Sequence, residues 1–87
     1  MQVYFAQDRD SPYLIKIGCS INPHSRIYGL SSQTKSRLKI LALVRGSLSK
    51  EKWLHKYFVK YRAHGEWFFP HKKLMACIPL KQVPPMF

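Results

Sequence analysis

The stretch spanning residues 13–19, YLIKIGC, constrains this chain more than any other. Side chains of an extended strand alternate between faces, so Tyr13, Ile15, Ile17 and Cys19 share one side and Leu14, Lys16 and Gly18 the other. The lysine therefore points away from the two isoleucines. Gly18 is expected to close the strand, and Asn22-Pro23 follows as helix cap and first helical residue. A lysine on a strand, a glycine at its end and a basic helix just beyond make a candidate anion site, around which the other segments must be arranged.

At 87 residues the chain has room for one domain, 1–87. A chain this short buries about 60–65% of its unfolded surface, so its core must be dense. Five Tyr, five Phe and two Trp supply that density without disulfides or a cluster of metal ligands. Charge is the most lopsided property: 15 Lys and Arg face 4 Asp and Glu, a formal net charge of +11. Asp8 and Asp10 sit together in an early turn, which leaves Glu51 and Glu66 as the only carboxylate side chains after residue 10. Such a surface concentrates polyanions, nucleic acid above all; an anionic membrane, a ribosomal-type packing role and plain solubility are the alternatives. The basic residues are interleaved with aromatics, and no lysine-rich amphipathic helix stands alone, which argues against the membrane.

Gln7, Asp8, Arg9 and Asp10 interrupt any apolar run near the N-terminus, so no signal peptide is expected. The longest apolar run, residues 40–44, is too short to span a bilayer. A cytoplasmic, or otherwise intracellular, location follows as the expectation. Cys19 and Cys77 fit a reducing compartment, and neither a CxxC nor a paired Cys/His spacing suggests structural zinc.

Along the chain, residues 2–6 (QVYFA) predict a strand with Val3 and Phe5 on one face and Gln2, Tyr4 and Ala6 on the other. Residues 7–12 are turn chemistry, so the first two strands should form an antiparallel hairpin, with Tyr4 and Lys16 on one side of it if the apolar faces agree. The first helix is expected over residues 22–30, with Ile27 and Leu30 toward the core, followed by a loop over 31–35. Residues 38–45 (LKILALVR) are apolar on both faces and predict the central or most buried strand. A long helix is expected over 47–64, capped by Ser47 or Ser49 and stopped by Gly65. Its core stripe would be Leu54, Tyr57, Phe58 and Tyr61; Glu51 and His55 fall at the margin, with Lys52, Lys56 and Lys60 on the next ridge. That ridge is either a phosphate track or a solvated face. Residues 66–70 (EWFFP) predict an extended closing segment, a short helix follows over 72–78, and 79–87 is expected to be an irregular tail ending in Met86-Phe87.

The order VYF, KIG, an arginine eight residues after that glycine, a helix carrying Glu51 and then Leu54-His55, and finally GEWF resembles the GIY-YIG nuclease superfamily. It is most similar to the branch, common among phage and bacterial open reading frames, that has KIG as second motif and closes with EWF. The resemblance covers residues 3–69. It implies an α+β fold, β-β-α-β-α, with a small three-stranded antiparallel sheet flanked by helices. It also implies hydrolysis of DNA phosphodiester bonds with one Mg²⁺ or Mn²⁺ ion, RNA not being excluded. By position, Tyr4 matches the tyrosine of the first motif, Lys16 stands where many members have a second tyrosine, Arg26 matches the helix arginine, and Glu51 matches the metal-binding glutamate. On this reading Arg26 braces a phosphate oxygen, Tyr4 helps deprotonate the attacking water, and the Lys16 ammonium lowers the Tyr4 pKa. The chain departs from the family pattern at Leu30, where many members carry His or Tyr, and in having GEWF where an asparagine often stands. His55 or His24 is the substitute for proton transfer, His24 is also a candidate contact to nucleic acid, and Glu66 is a supporting or helix-capping group.

Each residue has a plainer account: Tyr4 as a sheet aromatic, Lys16 stretched over the sheet with its head in water, Arg26 and Glu51 as an ion pair between helices, His55 as a satisfied helix-edge histidine. Three functions follow for comparison: a metal-dependent endonuclease, a catalytically inactive nucleic-acid-binding module on the same fold, and a basic adaptor docking a protein through its C-terminal tail. A domain this small has little surface for reading bases, so specificity would come from a homodimer, a partner or DNA shape.

Overall fold

The alternation of Val3 and Phe5 with Tyr4 and Ala6 becomes, in the computed structural model, strand β1 (Gln2–Asp8), paired antiparallel with β2 (Ile15–Ser20). The structure describes residues 1–10, 13–34 and 36–78; the expected tail from 79 onward, with any docking role for Met86-Phe87, lies outside them. Register sets Tyr4 opposite Gly18 and Ala6 opposite Lys16, so Tyr4 and Lys16 share a face, as the apolar pattern requires. Two details differ from expectation. Tyr13 is not on the strand but in a left-handed turn at φ +61°. Gly18 does not end the strand, which runs on through Cys19 and Ser20.

Helix α1 (Pro23–Thr34) starts where Asn22-Pro23 predicts: the Asn22 side chain accepts from the Ser25 N–H at 3.3 Å, and its carbonyl takes the Arg26 N–H. It runs past Gly29 through the expected loop, to end on a Thr34 hydroxyl bonded back to the Leu30 carbonyl. Strand β3 (Leu38–Arg45) has the expected bounds but not the expected place. The sheet order is β3-β1-β2-β5-β4, so β3 is an edge strand and β2 lies in the middle. The apolar run reflects cover on both faces rather than a central position. A register shift opposite Phe5 and Ala6 pairs them with Ala42 and Ile40, so that Ile40 and Leu43 pack on one side of the sheet and Leu41, Ala42 and Val44 on the other.

Helix α2 (Leu48–Tyr57) is capped by Ser47, whose hydroxyl accepts from the Ser49 N–H. It ends well before Gly65. A 3₁₀ turn (Val59–Tyr61) follows, and the Tyr61 carbonyl accepts from the Phe69 N–H at 2.7 Å instead of continuing a helix. Residues expected in the long helix thus become β4 (Arg62–His64), which turns at Gly65 (φ +53°) into β5 (Trp67–Phe68). The sheet therefore has five strands rather than three, within the expected α+β class. Helix α3 (Lys72–Cys77) closes the described chain.

The core lies on the face covered by α2 and α3: Val3, Phe5, Ile15, Ile17, Ala42, Leu54, Phe58, Phe68, Leu74 and Ile78. Each large side chain buried there contributes about 1.5–3 kcal/mol. The stripe of α2 is rotated from the expected one: Glu51, Leu54 and Phe58 are buried, whereas Tyr57 is 56% exposed. The apolar cluster on the α1 face is smaller: Tyr4, Ala6 and Ile27 are buried, with Leu30, Leu38, Ile40 and Leu43 packed around them. Among the described residues no helix is long and apolar enough to cross a membrane.

Candidate active site

Strand β5 is too short to cover all of β2. Ile15 pairs with Phe68 and Lys16 with Trp67, and the Ile17 N–H donates to the Glu66 carbonyl at 3.0 Å. The Ile17 carbonyl has a side chain as partner, the His55 Nε2–H at 2.8 Å. From Gly18 to Ser20 that edge has no strand beside it among the described residues. Side chains from both faces of the sheet converge over this uncovered edge: Tyr4 and Lys16 from the α1 face, Cys19 from the other, and Glu51 and His55 from α2.

Tyr4 is 1% exposed, and its ring lies across Gly18. A Cβ at Gly18 would stand 2.5 Å from the Tyr4 Oη and 2.7 Å from Cζ, so the glycine of KIG makes room for the phenol. Burial raises the Tyr4 pKa above the usual tyrosine range, the Glu66 charge adds to the rise, and the neighbouring Arg26 pulls the other way. Lys16, expected to lower it, is not among the groups that do so. Its Nζ stands 2.6 Å from Glu66 Oε1 and 5.4 Å from the centre of the Trp67 ring. Lys16 is thus a fixed, nearly buried cation and not a head reaching into water.

Glu51 sits in the first turn of α2 and is 7% exposed. The described residues form two ion pairs, Lys16–Glu66 and the exposed Arg37–Asp10, and Glu51 is in neither. The plain inter-helix pair of Glu51 with Arg26 does not form. Burial raises the Glu51 pKa and Glu66 raises it further, while His55, Lys16 and the Cys19 thiol partly offset the shift. The same neighbourhood pushes the Cys19 thiol up, through burial first and Glu51 next. His55 is edge-on to the Phe68 ring at 5.1 Å between centroids, and the Ile17 carbonyl holds its Nε2.

The structure therefore gathers Tyr4, Lys16, Arg26, Glu51 and His55 at one place and adds Glu66, Cys19 and Trp67 to them. Glu66 and Trp67 carry a signal in the sequence, the GEWF ending, but it is the pairing of β2 with β5 that brings them to Lys16. His24 lies elsewhere. Two residues from Arg26, it is turned about 200° around α1 and lines a groove with Ile27, Tyr28 and Lys39. Lys52 and Lys56 are exposed on α2 beside His55, whereas Lys60 has left the helix in the 3₁₀ turn. The expected three-lysine ridge is thus a two-lysine one.

No curated protein and no solved structure matches the chain at a significant level. The model of the T5orf172 domain family does match, over residues 1–81, a span that holds every residue of the convergence at the β2 edge, and the chain belongs to that family.

Proposed function

We propose that this domain is a metal-dependent endonuclease that hydrolyses DNA phosphodiester bonds by a GIY-YIG-type mechanism. The observation that carries the proposal is Glu51, a buried carboxylate outside every ion pair of the described residues, with its proton affinity raised by burial and by Glu66. A divalent cation would relieve both. One hard oxygen donor suits Mg²⁺ or Mn²⁺, which keep several positions for water and substrate oxygens. Among the described residues no three His, Cys, Asp or Glu side chains gather into a closed metal cage. The donor set thus fits one ion held by Glu51 and completed by the substrate. When bound, such an ion supplies charge stabilisation at the phosphoryl oxygens.

The chain's own groups supply the rest. Arg26, exposed on α1 beside the Tyr4 phenol, can fork onto a phosphate and stabilise the charge that develops there. Lys16, held by Glu66 and stacked over Trp67, is a positioned cation for the same group. Tyr4, kept protonated by its burial, serves as a hydrogen-bonding group that orients a water rather than as the base. His55, held at Nε2 by the Ile17 carbonyl, takes up that water's proton. The phage association of the T5orf172 family, and its occurrence in nuclease contexts, supports a nuclease-related or DNA-binding role.

Leu30 favours a second reading, a binding module without catalysis. Where many GIY-YIG members carry His or Tyr, this leucine packs against Tyr4, Ala6 and Ile27 and contributes no polar group. Supercoiled plasmid incubated with the native protein separates the two. The nuclease nicks it with Mg²⁺ or Mn²⁺ and stops when EDTA is added. A protein that binds the plasmid in a salt-sensitive way but leaves it intact with both metals is the binding module.

A further inference from the structure

Next to His55, on the solvent side of α2, lies an open hollow of about 530 Å³ lined by Ser49, Lys52, Trp53, His55 and Lys56. Its size falls within the roughly 300–1,000 Å³ of small-molecule sites. Trp53 forms its apolar surface. One side of the indole packs on the main core, and the ring is stacked on Tyr57 with 5.0 Å between centroids and 27° between planes. Tyr57, 56% exposed, is itself braced edge-on by Phe58 at 4.9 Å. The sequence pattern placed Tyr57 in the core, and the rotated stripe of α2 puts it outside.

We infer that this hollow takes an unpaired base of a nucleic-acid strand, stacked on Trp53, with Lys52 and Lys56 on the flanking phosphates and Tyr57 bracing the indole from its other side. Two observations select this occupant. The charge is complementary, since both lysines are exposed on a chain of net charge +11. The aromatic platform accepts any base, because every base has a π-face. A base paired inside a duplex cannot present that face, so the site selects a single strand, a flap or a flipped nucleotide. His55 belongs both to the hollow and to the group around Glu51, so the stacked base would lie next to the phosphate at the β2 edge. This inference rests on the nucleic-acid reading above and gives it a substrate class: strands with an unstacked base at the point of cutting.

The test compares binding of three probes in EDTA, where no cleavage occurs: a thymidine 12-mer, an abasic backbone of the same length, and a perfect duplex. The native protein should bind the 12-mer about 5- to 150-fold more tightly than the abasic strand, the span expected for one stacked base. Trp53→Leu, which keeps an apolar cover on the core, should erase most of that preference while duplex affinity stays unchanged. Tryptophan fluorescence of the native protein should be quenched by the 12-mer and not by the abasic strand, and that difference should be lost in Trp53→Leu. Equal affinity of native protein for the 12-mer and the abasic strand would overturn the stacking site and leave nucleic-acid binding standing. Absence of salt-dependent binding to any of the probes would overturn both.

Discussion

The α2 side of the sheet buries Phe5, Ile15, Ile17, Leu54, Phe58, Phe68 and Leu74 almost completely, whereas the apolar cluster buried on the α1 side is small: Tyr4, Ala6 and Ile27. One face has the apolar mass to hold an 87-residue chain together. The other is thin, and its largest buried side chain ends in a phenol whose proton affinity burial has raised. The small domain tolerates unfavourable groups where the two faces meet. Glu51 and Lys16 are the only charged side chains buried among the described residues, and both lie at the seam where the thick face gives way to the uncovered edge of β2.

The largest effect should come from the thick face. Phe58→Ala should cost about 3–5 kcal/mol, a large share of the ~5–15 kcal/mol that holds a domain folded. Ile27→Ala on the thin face should cost about 2 kcal/mol, the low end for such truncations. Urea denaturation of both variants measures the difference, and equal losses would break the comparison.

Next comes Gly18→Ala, which sets a methyl group against the Tyr4 ring. It should destabilise by about 1–3 kcal/mol, as overpacking does, and lower any cleavage rate more than tenfold by displacing the phenol. The loss of stability should disappear when Tyr4→Ala is combined with it. A Gly18→Ala penalty that persists without the ring would place the clash elsewhere.

How much of this was legible in the sequence follows from the range of each interaction. The β1–β2 hairpin, the Asn22-Pro23 start of α1 and the Ser47 cap depend on residues a few positions apart, and local pattern reveals them. The Lys16–Glu66 pair spans fifty positions, and nothing local announces it. The edge position of β3 was hidden because two-sided cover at an edge and burial in the middle of a sheet produce the same apolar run. The end of α2 was hidden because the Tyr61 carbonyl is claimed by Phe69, a residue of the returning strand. The motif residues themselves stood out, since Glu51 and Glu66 are the only acids after residue 10. What the spacing could not give is that Lys16 serves Glu66 and Trp67, so that Arg26 and not Lys16 tempers the phenol.

The smallest predicted effect is one of stability against pH. The folded Glu51 binds its proton more tightly than an ordinary glutamate does. Its ionisation therefore costs the fold nothing below about pH 4, where folded and unfolded states are both protonated, and its full penalty above the raised folded value. Stability contributed at this position falls as pH rises through that interval. Glu51→Gln should accordingly melt a few degrees higher than the native protein at pH 7, with the gain shrinking to nothing near pH 4. A variant less stable than the native protein at pH 7 would mean that Glu51 has a stabilising partner.

In the proposed nuclease, Glu51 supplies the chemistry and the surrounding cations supply the grip. Single-turnover nicking of supercoiled plasmid in Mg²⁺, run with the native protein and Glu51→Gln beside a binding assay at the same salt concentration, tests it most directly. Nicking by the native protein, background levels for Glu51→Gln and equal DNA affinity for the two are expected. Nicking by Glu51→Gln at the native rate would contradict that role of Glu51.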